Sequence, residues 1–250
     1  MIASLPMYAR PELREAHDTF WELLRDALRS SGISAPEVLD HEINVWDAWE
    51  SPKLCFSQTC NFPYRAKLHS KVTLIGAANY GLEDAAPGYY YSVFVVRRSD
   101  ALKAPEDFAD ARFVFNEALS QSGWAAPQLW ARKRGFSFRP HIKSGAHIAS
   151  ARAVADHKAD IAALDAVSWR LLRKLEDFTK DLSVIGRTDH TPALSFITRS
   201  GEDPELYRVA FTKSLHALPN IHKTALGLCG IVAIPEAEYL ALPTPEAPII

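Results

Sequence analysis

Short apolar runs alternate with longer segments of helical period along almost the whole 250-residue chain, and this alternation constrains the fold more than any other feature. Ile2–Met7 is a short apolar run. After it, Leu13, Ala16, Phe20, Leu23, Leu24, Ala27 and Leu28 recur at helical spacing across Pro11–Ser31, and Gly32 ends the pattern. Further strands are expected at Lys53–Ser57, Val72–Ala77, Tyr90–Arg97, Arg112–Asn116, Arg139–Lys143, Ile161–Leu164, Leu182–Ile185 and Ala193–Thr198. Between and after them, helices are expected at Pro63–His69, Ser122–Arg134, His147–His157, Trp169–Leu175, Pro204–Leu218 and Asn220–Leu228. A strand, a helix and a second strand in succession predict an α/β protein whose sheets are parallel and covered by helices.

Two of these strands flank a self-contained run of alternating elements. Tyr90–Val96 and Ala193–Thr198 are both long and apolar, and the reading is that both cross between lobes. Lobe one is then discontinuous, residues 1–90 and 197–250, and lobe two is residues 91–196. The expected architecture is two doubly wound α/β lobes joined by two crossing strands, with a ligand cleft between them that closes by a hinge. Pro243–Ile250 holds three of the 16 prolines and reads as a tail.

Composition narrows the partners. With 48% hydrophobic and 23% charged residues the chain buries a real core, and disordered or fibrous classes are excluded. Lys+Arg 28 against Asp+Glu 30 leaves a net charge of −2 without long like-charge runs, so no nucleic acid and no anionic membrane surface is expected as a partner. No apolar run approaches the roughly 20 residues of a membrane-spanning helix, so direct membrane insertion is not expected. The N-terminus, Met-Ile-Ala-Ser-Leu-Pro-Met-Tyr, lacks the basic and apolar regions of a signal peptide. The expected location is cytoplasmic as the sequence stands, or periplasmic if a signal peptide has been removed. Cys55, Cys60 and Cys229 form no C-x-x-C pair and are expected to be free, buried thiols.

The segment from Phe113 to Trp124 is the most informative stretch: an apolar strand, a polar loop through Ser120-Gln121-Ser122-Gly123, then a helix. Unsatisfied N–H groups at a helix start attract anions. Ser120 and Ser122 are also ordinary helix-capping residues, and both readings stand at this point. Lys143-Ser144-Gly145-Ala146-His147 is a second strand, glycine turn and helix start, which sets His147 where ligands bind in open α/β sheets, or leaves it a structural histidine. Asp165 ends a buried strand as a ligand contact or a cap. Ser57-Gln58-Thr59-Cys60-Asn61-Phe62-Pro63-Tyr64 is a polar cluster after an apolar strand, and Tyr8 follows the first strand. His141 and His147 straddle a turn and do not suit zinc, and neither G-x-S-x-G, G-x-G-x-x-G, a P-loop nor H-E-x-x-H is present. No metal, no cofactor and no catalytic residue is expected.

The order of these motifs resembles the periplasmic phosphonate-binding proteins of ABC transporters, within the type II solute-binding folds. The resemblance rests on Gly88–Val96, on Asn116 through Ser120-Gln121-Ser122-Gly123, and on Gly145-Ala146-His147 with Ala151–Ala155 and Asp160-Ile161-Ala162. It covers residues 50–200, and the flanks by topology only. It implies that Ser120, Gln121 and Ser122 stand for a Ser-Thr-Ser loop that holds phosphonate oxygens, that His147 touches the same group, and that Tyr90 matches a tyrosine on the strand entering lobe two. The sequence departs from the family where Gln58 replaces a lobe-one tyrosine, and where the acidic residues for an aminoalkyl group align near Val167 and Leu194. The implied function is a binding protein, not an enzyme, for a small oxyanion such as phosphate, phosphite or a phosphonate, with an ABC permease as partner. Tyr8, Gln58, Tyr64, Tyr90, Ser120, Gln121, Ser122, His147 and Asp165 are its expected ligand-binding residues. Two alternatives stand beside it: a cytoplasmic enzyme resembling the futalosine-pathway lyases of menaquinone synthesis, with His147 as general base, and a ligand-sensing domain.

Overall fold

The computed structural model describes residues 1–250. Twelve strands follow in chain order: β1 Ile2–Ser4, β2 Leu54–Thr59, β3 Val72–Asn79, β4 Tyr89–Tyr90, β5 Ser92–Arg97, β6 Phe113–Phe115, β7 Pro140–Lys143, β8 Ile161–Asp165, β9 Leu182–Arg187, β10 Thr191–Pro192, β11 Ser195–Arg199 and β12 Gly230–Val232. The helices are α1 Arg14–Ser30, α2 Val45–Trp49, α3 Asn61–Pro63, α4 Ala126–Arg132, α5 His147–Ala155, α6 Ala166–Leu175, α7 Pro204–Ala217, α8 Asn220–Leu226 and α9 Glu236–Leu240.

The chain divides into two compact units, Met1–Tyr89 with Pro192–Leu240, and Tyr90–Thr191 with Ala241–Ile250. The first carries a five-stranded sheet in the order β1-β2-β11-β3-β12. Its period-matched helix α1 buries Ala16, Phe20, Trp21, Leu24, Ala27 and Leu28, and Gly32 ends it with φ +81°. Phe56 stacks on Phe196 with ring centroids 5.2 Å apart, and on Trp21 at 6.2 Å. Phe211 of α7 closes on Phe20 and Phe196 at 5.1 and 4.9 Å, completing an aromatic core. The second unit carries the sheet β7-β6-β8-β5-β9. Phe94, Trp130, Phe113 and Phe138 form its core, with centroids between 4.8 and 5.5 Å apart along the cluster.

Four expectations change. The sheets are mixed rather than parallel: β1–β2, β6–β7 and β6–β8 are parallel, whereas β11 runs antiparallel to β2 and β3, and β5 antiparallel to β8 and β9. The long apolar strands do not themselves bridge the units, because β5 is ladder-bonded within the second sheet and β11 within the first. The chain passes from one unit to the other at Tyr89/Tyr90 and Thr191/Pro192, where β4 and β10 form a two-stranded sheet. The tail, expected with lobe one, lies with the second unit from Ala241 onward. There the indole N–H of Trp124 donates to the Glu246 carbonyl at 2.9 Å, a satisfied hydrogen bond that the proline-rich sequence gave no means of foreseeing. The cysteines are free as expected, but only Cys55 is buried; Cys60 is partly exposed and Cys229 exposed. No helix is long and apolar enough to cross a membrane.

Candidate oxyanion site

In the second unit the parallel strands β7, β6 and β8 end side by side, and the chain segments that leave them carry most of the expected site residues. Asn116–Ser120 follows β6 and Ser144–Ala146 follows β7. Two backbone bonds stitch these loops together, Ser144 N–H to the Phe115 carbonyl and Gly145 N–H to the Asn116 carbonyl, both at 2.9 Å.

Ser120 is extended, with φ −80° and ψ 125°, and its Oγ accepts the Gly123 N–H at 2.9 Å. This is the capping role that its residue type allows. Its carbonyl accepts the Trp124 and Ala125 amides at 3.2 and 2.9 Å, so the expected helix starts as a wide π turn over Gln121–Ala125 before α4. Ser120, Gln121 and Ser122 are buried. Ser122 is placed differently from Ser120. The Ser92 hydroxyl of β5 donates to its carbonyl at 2.9 Å, and its own Oγ lies 2.9 Å from His147 Nε2, on the first residue of α5.

Burial pushes the His147 pKa down to about 4, so the ring is neutral at pH 7. Two buried atoms here receive no hydrogen bond from the protein, His147 Nδ1 and Asn116 Oδ1. A buried polar atom left without a partner costs about 1–3 kcal/mol, which a polar ligand would recover. Gly123 makes room for the Asn116 amide, because a Cβ there would overlap Asn116 Oδ1 and come within 3.2 Å of Ser120 Oγ. At the rim Lys143 and Glu117 neutralise each other at 2.7 Å. Buried Asp165 ends β8 and caps α6, accepting the Ser168 N–H at 2.8 Å. Tyr90 is buried at the crossing strand β4. No cluster of histidine, cysteine and carboxylate residues could hold a metal ion.

The first unit has its own polar and aromatic pocket, lined by Tyr8, His17, Gln58 and Tyr80 among apolar residues, with a volume of about 10 Å³, the room of one water molecule. Gln58 Nε2 donates to the Tyr80 hydroxyl at 3.2 Å, and Tyr8 meets Tyr80 edge-on at 4.9 Å. Burial, helped by the nearby His41, pushes the His17 pKa down to about 4. Tyr64 lies apart from this pocket. It is fully buried, packs edge-on against Tyr239 and donates to Glu236 at 2.6 Å.

Sequence reasoning did not single out Asn116, Ser92, His17 or Tyr80 as site residues. Asn116 and Tyr80 follow strand ends, the position that drew attention to their neighbours. Ser92 and His17 carry no local signal, since only packing brings them beside Ser122 and Gln58.

Residues 54–213 match the family described as "ABC transporter, phosphonate, periplasmic substrate-binding protein". No curated protein sequence matches. Among solved structures, XAC2383 from Xanthomonas citri bound to chloride ion superposes with a TM-score of 0.68 at 16% identity, covering 96% of this chain and 94% of that one. PhnD1 from Prochlorococcus marinus, in complex with methylphosphonate, gives a TM-score of 0.68 at 15% identity over 95% and 94% of the two chains. A binding protein component of an ABC phosphonate transporter from Pseudomonas aeruginosa gives 0.59 at 17% identity, over 90% and 77%. These likenesses show the periplasmic binding protein fold. The family is one of substrate-binding proteins rather than enzymes, and this chain, matched over more than half its length, belongs to the periplasmic phosphonate substrate-binding family of ABC transporters.

Proposed function

We propose that this protein binds a small phosphorus oxyanion, a phosphonate, phosphite or phosphate, at the loop Ser120-Gln121-Ser122 and His147, and delivers it to an ABC permease on the periplasmic side of the membrane. The observation that carries the reading is the pairing of the buried Ser122 hydroxyl with a neutral His147, on loops whose Asn116 Oδ1 and His147 Nδ1 are buried without a partner from the protein. Hydrogen bonds to a charged oxygen contribute about 1.5–3 kcal/mol each, and in the tautomer of neutral His147 whose Nε2 carries the proton, that N–H donates to Ser122 Oγ and leaves the hydroxyl proton for a ligand. Asp165 and Tyr90, at the ends of β8 and β4, complete the ligand-binding set of the second unit.

The test is thermal unfolding of protein purified without phosphate or sulfate, against a panel of phosphate, phosphite, methylphosphonate, acetate and zinc. A ligand bound only by the native state adds about 2.7 kcal/mol at 100 times its Kd. A raised Tm with one or more phosphorus oxyanions is expected. A shift with zinc alone, or with none of the oxyanions, refutes the assignment.

A further inference from the structure

We propose, resting on the oxyanion reading above, that Asn116 selects an oxyanion that still carries a proton, a hydrogen-phosphonate or hydrogen-phosphite monoanion, by accepting its P–O–H in a hydrogen bond at Oδ1. Three observations converge on this. Asn116 Oδ1 is a buried acceptor without a donor from the protein. A bare oxyanion oxygen cannot satisfy it, since acceptor would face acceptor, whereas a ligand hydroxyl can. The atom is also held in place. The Asn116 backbone carbonyl takes the Gly145 N–H at 2.9 Å, and the missing Cβ of Gly123 leaves the space that the amide oxygen fills next to Ser120 Oγ.

The third observation is the charge of the surroundings. Asn116, Ser120, Gln121 and Ser122 are uncharged, and burial keeps His147 neutral at pH 7. Lys143 is already paired with Glu117, and Asp165, the remaining ionisable side chain of these strand ends, is engaged with the Ser168 amide. Attraction there comes from hydroxyl and amide dipoles. Dipoles can offset the desolvation of one charge far better than of two, because the cost of burying an ion rises with the square of its charge. An unpartnered acceptor and dipole-only attraction therefore favour the same species, the monoanion with one O–H.

Methylphosphonate and methanesulfonate separate this from simple anion binding. Below the second ionisation of the phosphonate both are monoanions of the same shape, and only the phosphonate carries an O–H. Titration calorimetry at mildly acidic pH, where His147 is still neutral, is expected to show the wild type binding methylphosphonate at least tenfold more tightly. In Asn116→Leu that ratio is expected to fall toward one. In Asn116→Asp it is expected to rise, because a carboxylate accepts the O–H and repels the bare sulfonate oxygens. The ratio is measured within each variant, so a partly unfolded sample leaves it unchanged. Equal wild-type affinities, an unchanged ratio in Asn116→Leu, or a lower one in Asn116→Asp would overturn the role of Asn116 while leaving the oxyanion reading intact. Absence of binding by methylphosphonate, methanesulfonate and phosphate alike would refute the oxyanion reading itself.

Discussion

Two histidines, one in each unit, make the stability of this protein depend on pH in a way that can be worked out beforehand. Burial pushes both His17 and His147 down to about 4, from an ordinary value of 6.5. The folded state therefore refuses a proton that the unfolded chain accepts between those two values. Their contribution is complete only above the unfolded value, and stability falls as pH drops from 6.5 toward 4. With 1.36 kcal/mol per unit of pKa difference as the limiting slope, each histidine removes about 2 kcal/mol between pH 7 and pH 5. For a chain of this size that is a fall in Tm of about 4–8 °C per histidine. The window from pH 7 to 5 lies above the ordinary carboxylate values of about 3.9–4.3. The assay is thermal or urea unfolding at pH 7, 6 and 5 for the wild type, His17→Gln and His147→Gln. Each variant is expected to lose about half of the pH-dependent drop, whatever its absolute stability at pH 7. A His147→Gln slope equal to that of the wild type would refute the claim that this ring is desolvated in the fold.

Ser122→Asp is expected to weaken oxyanion binding more than tenfold, since a fixed carboxylate beside His147 would occupy the anion's place; unchanged affinity by calorimetry would mean that this loop only caps a helix. At the opposite end of the second sheet, Asp160 is held well below the usual carboxylate range by hydrogen bonds from Arg112 and Arg97, at 2.8–3.1 Å. Asp160→Asn is expected to cost about 1–3 kcal/mol in urea unfolding with no change in ligand affinity, and a change in affinity would show that the two ends of the sheet are coupled.

The class of fold was legible in the sequence because it depends on local periodicity. The recurrence of Ala16, Phe20, Leu24 and Leu28 makes α1 one-sided. The apolar runs Phe113–Phe115 of β6 and Ile161–Leu164 of β8 can sit only where both faces are covered. The positions of Ser120, Ser122, His147 and Asp165 at strand ends were legible for the same reason, since a strand followed by a polar turn and a helix start is itself a local pattern. Strand direction was not. Local patterns do not distinguish a parallel from an antiparallel neighbour, and β5 and β11 turned out antiparallel to their partners because of where the chain re-enters each sheet. Nor could sequence distribute the roles of chemically similar residues. Ser120 became a cap and Ser122 the partner of His147, although the two stand one residue apart, because a π turn points their hydroxyls at different neighbours. Tyr8 and Tyr64 likewise went to different surroundings, one to a pocket with Gln58 and the other, buried, to a hydrogen bond with the exposed Glu236. The sequence determined which segments could form a layered α/β core and where polar groups would emerge from it; the tertiary structure alone decided which of those groups meet, because contacts such as Ser92 with Ser122, 30 residues apart, are made by packing and leave no periodic trace in the chain.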